Sequence, residues 1–254
     1  MLEQKCLWTL QELLNDNSAK WSSPQQGMAV MSVLERKTDV IAMLKTGGGK
    51  SMLPIIAAIV EPAKAVVVIL PLRSLMTDWE RKLRAMGVRF QVYDPKVDLK
   101  NTINLILASA DKAKFKTFRT RLAELNETLP VARMVFDEAH LPLTSNDFRD
   151  SMQHMSELRQ FSMQLVLLSG TIPSTSIAAL KKTFGLMPNA KEIRQSTNRP
   201  ELEYILKVPA PSRDLEKEAI EIVEKERENW SRKDRGLVFV TYMEDGESLA
   251  MEVR

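Results

Sequence analysis

A glycine-rich turn constrains this chain more than any other feature. The run Lys45-Thr46-Gly47-Gly48-Gly49-Lys50-Ser51 follows an apolar stretch, Asp39 to Leu44, and precedes a helical pattern, Met52 to Val60. A strand that turns through glycines into a helix start builds an anion cradle. Backbone N–H groups unhindered by Cβ atoms face the anion, and the helix N-terminus adds partial positive charge. In such a loop, Thr46 to Ser51 surround a nucleotide's phosphates, Lys50 reaches the β/γ-phosphates and the Ser51 hydroxyl ligates Mg²⁺. The strict pattern wants a glycine where Leu44 stands, so the loop alone does not decide.

The deciding partner lies downstream, at Asp137-Glu138-Ala139-His140, directly after the apolar run Met134-Val135-Phe136. That run reads as a buried strand. An acidic pair at a strand's carboxyl end supplies the other half of a phosphate-loop site. Asp137 holds Mg²⁺ through water, and Glu138 orients or deprotonates the attacking water. The two motifs, in this order, predict a nucleoside triphosphate site.

Short apolar runs alternate with helical patterns along the chain, which predicts an α/β fold: a mostly parallel sheet with helices on both faces. Predicted strands are 39–44, 65–70, 89–93, 104–108, 133–136 and 164–168. Predicted helices are 25–35, 51–61, 74–85, 115–126 and 174–184, after an N-terminal helical extension over 1–20. Trp8 and Leu14 are expected to pack that extension, and Trp79 to sit in the core or line a groove. Two prolines, Pro209 and Pro211, end a strand-like stretch over 202–207 and mark a boundary. The first domain is thus expected over 1–207, a linker over 208–213, and a second domain's start over 214–254. This last part carries a charged helix, 214–233, and a buried-looking strand, Leu237 to Val240.

The motifs form an ordered set with Trp21-Ser22-Ser23-Pro24-Gln25-Gln26, Pro71-Leu72-Arg73-Ser74-Leu75-Met76-Thr77-Asp78, Leu168-Ser169-Gly170-Thr171 and Asn198-Arg199-Pro200-Glu201-Leu202-Glu203-Tyr204. The set resembles superfamily 2 DNA helicases, and within them the RecQ branch, most of all its divergent fungal members. The resemblance implies a RecA-like P-loop NTPase domain followed by the incomplete start of a second RecA-like domain. It implies ATP and Mg²⁺ as cofactors, and single-stranded DNA and duplex junctions as partners, with 3′→5′ translocation driven by hydrolysis. By the same resemblance, Gln26 reads the adenine edge, Pro71, Leu72, Arg73, Ser74 and Asp78 contact the DNA backbone, and His140, Ser169 and Thr171 couple hydrolysis to strand movement.

The chain departs from the family at Ser22, where an arginine is usual, at Gly170, which replaces alanine, and around Asn146-Asp147-Phe148-Arg149, where a tryptophan-rich loop is reduced to one phenylalanine. It stops at Arg254, before the motifs that supply a catalytic arginine. A fragment is therefore expected, with a non-enzymatic ATP- and DNA-binding remnant as the alternative and an RNA-directed DEAH-type ATPase as a further one.

Composition narrows the setting. Thirty-six basic against thirty-three acidic residues leave a net charge of +3, which neither demands nor excludes a polyanionic partner. Cys6 is the single cysteine, so no disulfide forms within the chain. The apolar stretches fall far short of the ~18 residues that span a bilayer. A nuclear protein is expected, or a cytoplasmic one in a prokaryote. Lys112, Lys114, Lys116, Arg119 and Arg121 surround Phe115 and Phe118. They read first as an amphipathic helix with both phenylalanines in the core, and otherwise as a groove that follows nucleic-acid phosphates. His154 reads as a plain surface residue.

Overall fold

A computed structural model describes residues 1–144, 158–159, 161–196, 198, 202–203, 205–206, 215–231 and 233–252. Its contacts divide into two units, Met1–Asn198 and Arg199–Arg254.

The first unit is built on seven strands: β1 (Val40–Met43), β2 (Ala65–Leu70), β3 (Gln91–Val92), β4 (Leu105–Ser109), β5 (Val131–Phe136), β6 (Gln164–Ser169) and β7 (Lys191–Arg194). They pair in the order β3-β4-β2-β5-β6-β1-β7, and every pair is parallel. Around them lie α1 (Leu2–Leu14), α2 (Pro24–Glu35), α3 (Met52–Val60), α4 (Arg73–Ala85), α5 (Ala110–Ala113), α6 (Lys116–Thr128), α7 (Leu141–Thr144) and α8 (Ile177–Phe184).

Alternation along each strand feeds two cores. In β1, Ile41 and Met43 join a core with Phe118 and Leu122 of α6 and Leu180 and Phe184 of α8. Val40 and Ala42 face the opposite core, with Leu10 of α1, Val33 of α2, Leu53 of α3 and Leu83 of α4. Every residue of β2, β5 and β6 is buried. A parallel strand covered on both faces needs such an unbroken apolar run, which is why these three were readable in advance.

Several expectations need correction. No strand was predicted over β7, whose residues Lys191, Glu192 and Arg194 are exposed and leave Ile193 alone buried. An edge strand with one covered face tolerates that composition. Trp8 is 59% exposed, because α1 packs through Cys6, Thr9 and Leu10 instead; Leu14 is also exposed. Phe118 is in the core as expected, but Phe115 is 55% exposed, with the Lys114 ammonium 5.5 Å from its ring centre. In the second unit, Leu237 to Val240 form no strand and lie open to solvent. A strand needs a hydrogen-bonded neighbour, and none is present among the described residues.

Among the described residues of that second unit are two helices, α9 (Leu215–Arg227) and α10 (Met243–Glu252). Leu202, Glu203, Ile205 and Leu206 are not in a strand. The expected linker over 208–213, His154, the stretch 146–149 and most of 198–204 lie outside the described residues.

Candidate nucleotide-binding site

Because all seven strands run parallel, their carboxyl ends share one edge of the sheet. Ligands of open α/β sheets bind outside that edge. From β1 emerges the glycine loop, from β5 the Asp137-Glu138 pair, from β6 Ser169-Gly170-Thr171, and from β2 the segment Pro71-Leu72 that opens α4. Motifs scattered over the sequence meet because β5 and β6 sit between β2 and β1 in the sheet.

In the loop, Gly47 (φ 77°) and Gly49 (φ 75°) take left-handed conformations that a side chain would strain. A Cβ on Gly49 would also lie 2.1 Å from the Gln26 amide nitrogen. The loop is thus kept as bare backbone at the start of α3, the form a phosphate cradle requires. Lys50 folds back across it, its Nζ donating to the carbonyl of Leu44 at 3.1 Å.

The segment before α2 grips this loop. Ser23 caps α2, its Oγ accepting from the Gln26 N–H at 3.1 Å, with Pro24 in the first turn. Gln26 Nε2 donates to the Gly49 carbonyl at 3.2 Å, and its Oε1 accepts from the Ser22 N–H at 2.7 Å. Ser22 Oγ donates to the Gly48 carbonyl at 2.9 Å. Gln26 is therefore placed against the loop, its amide engaged at both ends. Gln195, just past β7, accepts weakly from the Lys45 N–H on the other side, at 3.4 Å.

The acidic pair is braced by two strands: the Asp137 N–H donates to Ile69 of β2 at 3.1 Å, and that of Ala139 to Leu168 of β6 at 3.0 Å. Asp137 is buried, and Glu138 adopts a left-handed φ of 46°, uncommon for a residue with a side chain. Burial pushes the Glu138 carboxyl above its ordinary range, and the neighbouring Asp137 charge adds to this, against Lys50 and His140. His140 Nδ1 lies 2.9 Å from Ser169 Oγ and 3.3 Å from Glu138 Oε2, and the Thr171 N–H donates to Ser169 Oγ at 3.2 Å. These four residues thus form one chain of contacts. A Cβ on Gly170 would sit in ordinary contact with Thr46 Oγ1 at 3.5 Å and Lys50 Nζ at 3.6 Å, so the missing methyl leaves the geometry unchanged.

The far wall is α4. Leu75, Asp78, Trp79 and Lys82 line the cleft, which has a volume of about 690 Å³, opposite Lys50 and Asp137. Trp79 Nε1 donates to Asp137 Oδ2 at 3.0 Å, and Lys82 Nζ donates to Ser51 Oγ at 2.7 Å. Loss of hydration at the Lys82 ammonium holds it below an ordinary lysine, although Asp137 and Asp78 draw it upward. Pro71 is buried; Leu72 and Ser74 are exposed, and Asp78 pairs with Arg81 at 2.8 Å. Arg73 opens the helix. Trp79, expected in the core or lining a groove, is buried and lines the cleft. Sequence reasoning missed Lys82 and Gln195, and the hydrogen bonds of Ser22. The signal for Lys82 was the spacing 75, 78, 79, 82, which puts a mixed polar and apolar stripe on one helix face.

Ser51 and Asp137 offer only oxygen donors, the set that suits Mg²⁺ held jointly with phosphate oxygens. The sequence model described as DEAD/DEAH box helicase matches residues 23–180. The chain belongs to this family.

Among the relatives of this DEAD/DEAH-box chain is the ATP-dependent DNA helicase hus2/rqh1 of Schizosaccharomyces pombe, 27% identical over 85% of this chain and 17% of the relative. The RecQ-like DNA helicase blm-1 of Caenorhabditis elegans is 26% identical over 84% and 23%. The probable ATP-dependent DNA helicase RecS of Bacillus subtilis is 25% identical over 89% and 45%. The RecQ resemblance thus stands, while the chain spans less than half the length of each. In fold it is similar to the DUF1998 helicase MrfA bound to DNA and AMPPNP, with a TM-score of 0.70 at 13% identity, over 96% of this chain and 37% of that one.

Proposed function

We propose that this chain is the nucleotide-hydrolysing lobe of an ATP-dependent DNA helicase of RecQ type, using Mg²⁺ and moving 3′→5′ on single-stranded DNA toward duplex junctions. The observation that carries this reading is the cleft itself. The bare glycine loop and the Asp137-Glu138 pair meet there, with the His140–Ser169 contact adjoining Glu138, and the helix that opens on the Pro71–Asp78 segment walls it. On this reading of its substrate, the proposed location is the nucleus, or the cytoplasm of a prokaryote.

The side chains divide the labour. Lys50 rests on a carbonyl oxygen, a weak acceptor that it exchanges for a β/γ-phosphate oxygen. Ser51 and Asp137 would hold Mg²⁺, which neutralises charge on the phosphates. Glu138, its proton affinity raised by burial and by Asp137, accepts a proton from the attacking water. His140 passes any shift of Glu138 to Ser169 and the end of β6. Gln26 and Ser22 tie the base-side segment to the same loop.

The test is ATP turnover with and without single-stranded DNA, in wild type, Lys50→Ala and Glu138→Gln. Stimulation by DNA, lost by about 10²–10⁴-fold in Glu138→Gln, is expected. Binding without turnover would make the chain a non-enzymatic module. Stimulation by RNA in preference to DNA would replace the DNA reading.

A further inference from the structure

Two donors from one face of α4 hold the two oxygens that the proposed function assigns to Mg²⁺. Lys82 Nζ is 2.7 Å from Ser51 Oγ, and Trp79 Nε1, three residues earlier, is 3.0 Å from Asp137 Oδ2. Lys50 of the loop is turned onto the Leu44 carbonyl at 3.1 Å. Two further cations of α4 are paired within the helix, Arg81 with Asp78 at 2.8 Å and Arg84 with Glu80 at 2.7 Å. Among the described side chains, the ammonium that meets the Ser51 hydroxyl is that of Lys82.

We propose that Lys82 is a resident cation of the phosphate site: its ammonium occupies the place beside Ser51 that Mg²⁺ takes, and the two hold it one at a time. The argument is spatial. Mg²⁺ binds oxygen at about 2.0–2.1 Å and keeps several waters in a near-octahedral shell. An ammonium hydrogen-bonded to the same hydroxyl stands inside that shell and repels the ion. Metal-free triphosphate, by contrast, meets a cation already in position. The inference rests on the reading of this cleft as a nucleoside triphosphate site. Its consequence is that binding depends on Mg²⁺ less steeply than it would with Lys50 as the only lysine at the phosphates.

The experiment measures binding of a fluorescent ATP analogue by anisotropy, in EDTA and across a Mg²⁺ titration, for wild type, Lys82→Met, Lys82→Arg and Lys50→Ala. The stem of Lys82 is exposed on α4, so melting curves of the variants should match wild type and serve as the folding control. In Lys82→Met, metal-free affinity should fall roughly tenfold, the scale of a lost charge-assisted hydrogen bond. The Mg²⁺ concentration for half-maximal binding should fall as well. Lys82→Arg, which keeps the charge, should retain metal-free binding. Equal loss with and without Mg²⁺ in Lys82→Met would overturn the inference, since it describes a phosphate contact made alongside the metal. No change in either condition would overturn it too, leaving Lys82 outside the bound site. Wild type that fails to bind even with Mg²⁺ would remove the nucleotide reading and this inference together.

Discussion

Glu138 is held in a conformation and an environment that a carboxylate in water does not meet. Its φ of 46° and its place beside Asp137 both oppose folding, and burial adds to the opposition. Active sites keep such strain where chemistry requires it. The carboxyl ionises at a higher pH in the folded chain than in the unfolded one. The folded state is therefore penalised as pH rises from the unfolded value through the folded one, and the penalty is constant above. Glu138→Gln removes the ionisation. It should raise stability at neutral pH by about 1 kcal/mol, a Tm gain of roughly 2–4 °C. In acid, below the unfolded value, the gain should disappear. Thermal melts of both proteins from about pH 4 to 8 check this, and a gain independent of pH would assign it to the packing of the amide and not to the lost charge. The identity of Glu138, like that of Lys50, Ser51 and Asp137, was legible in the sequence, because a glycine turn and an acidic pair each follow an apolar run. The hydrogen bonds of Lys82 and Trp79 were not, since they join α4 to residues distant in sequence. Nor was the direction of Gln26, which depends on how α2 docks against the loop.

At the scale of elements, the docking of α2 depends on a buried arginine in β5. Arg133 is fully buried; its Nε donates to the Val33 carbonyl at 2.8 Å, its Nη2 to that of Leu34 at 3.5 Å, and it pairs with Glu61 just past α3. It satisfies the last carbonyls of α2, which have no partner within their own helix. Burial pushes the Glu61 carboxyl up, but hydrogen bonds from Lys64 and Arg133 outweigh it and hold the group below its ordinary range. A carboxylate lowered in this way contributes stability above its unfolded pKa, which is lost as pH falls through the folded value. Arg133→Met should cost on the order of 3 kcal/mol at neutral pH, because both α2 carbonyls and part of Glu61 lose their partner. The deficit should narrow in acid. Urea denaturation of both proteins at neutral and acidic pH measures it, and an undiminished deficit at low pH would attribute the loss to packing. From sequence, an arginine among valines marks no such role. The periodicity that located β5 also missed β7, where one buried residue, Ile193, gives no pattern to read.

At the scale of the molecule, every residue that lines the cleft falls within Met1–Asn198, which holds the whole sheet and both cores. The parallel α/β architecture was legible because strands buried on both faces must be continuous apolar runs between helical periods. The state of the last segment was not. Leu237 to Val240 have the composition of a core strand, yet composition does not provide the neighbour that a strand needs. Leu237 and Phe239 are 77% and 88% exposed. A segment whose described residues form two helices and leave this apolar run in solvent buries too little there to fold cooperatively alone. Residues 1–198 produced separately should therefore melt at the same temperature as the full chain. They should also bind a fluorescent ATP analogue within about twofold of its affinity, less than one net hydrogen bond is worth. Binding of an apolar dye should fall when 199–254 are removed, since the exposed run goes with them. A piece that folds but loses nucleotide affinity tenfold would show that residues beyond 198 reach the phosphates. The proposed nucleotide site would then include residues that the cleft as described does not.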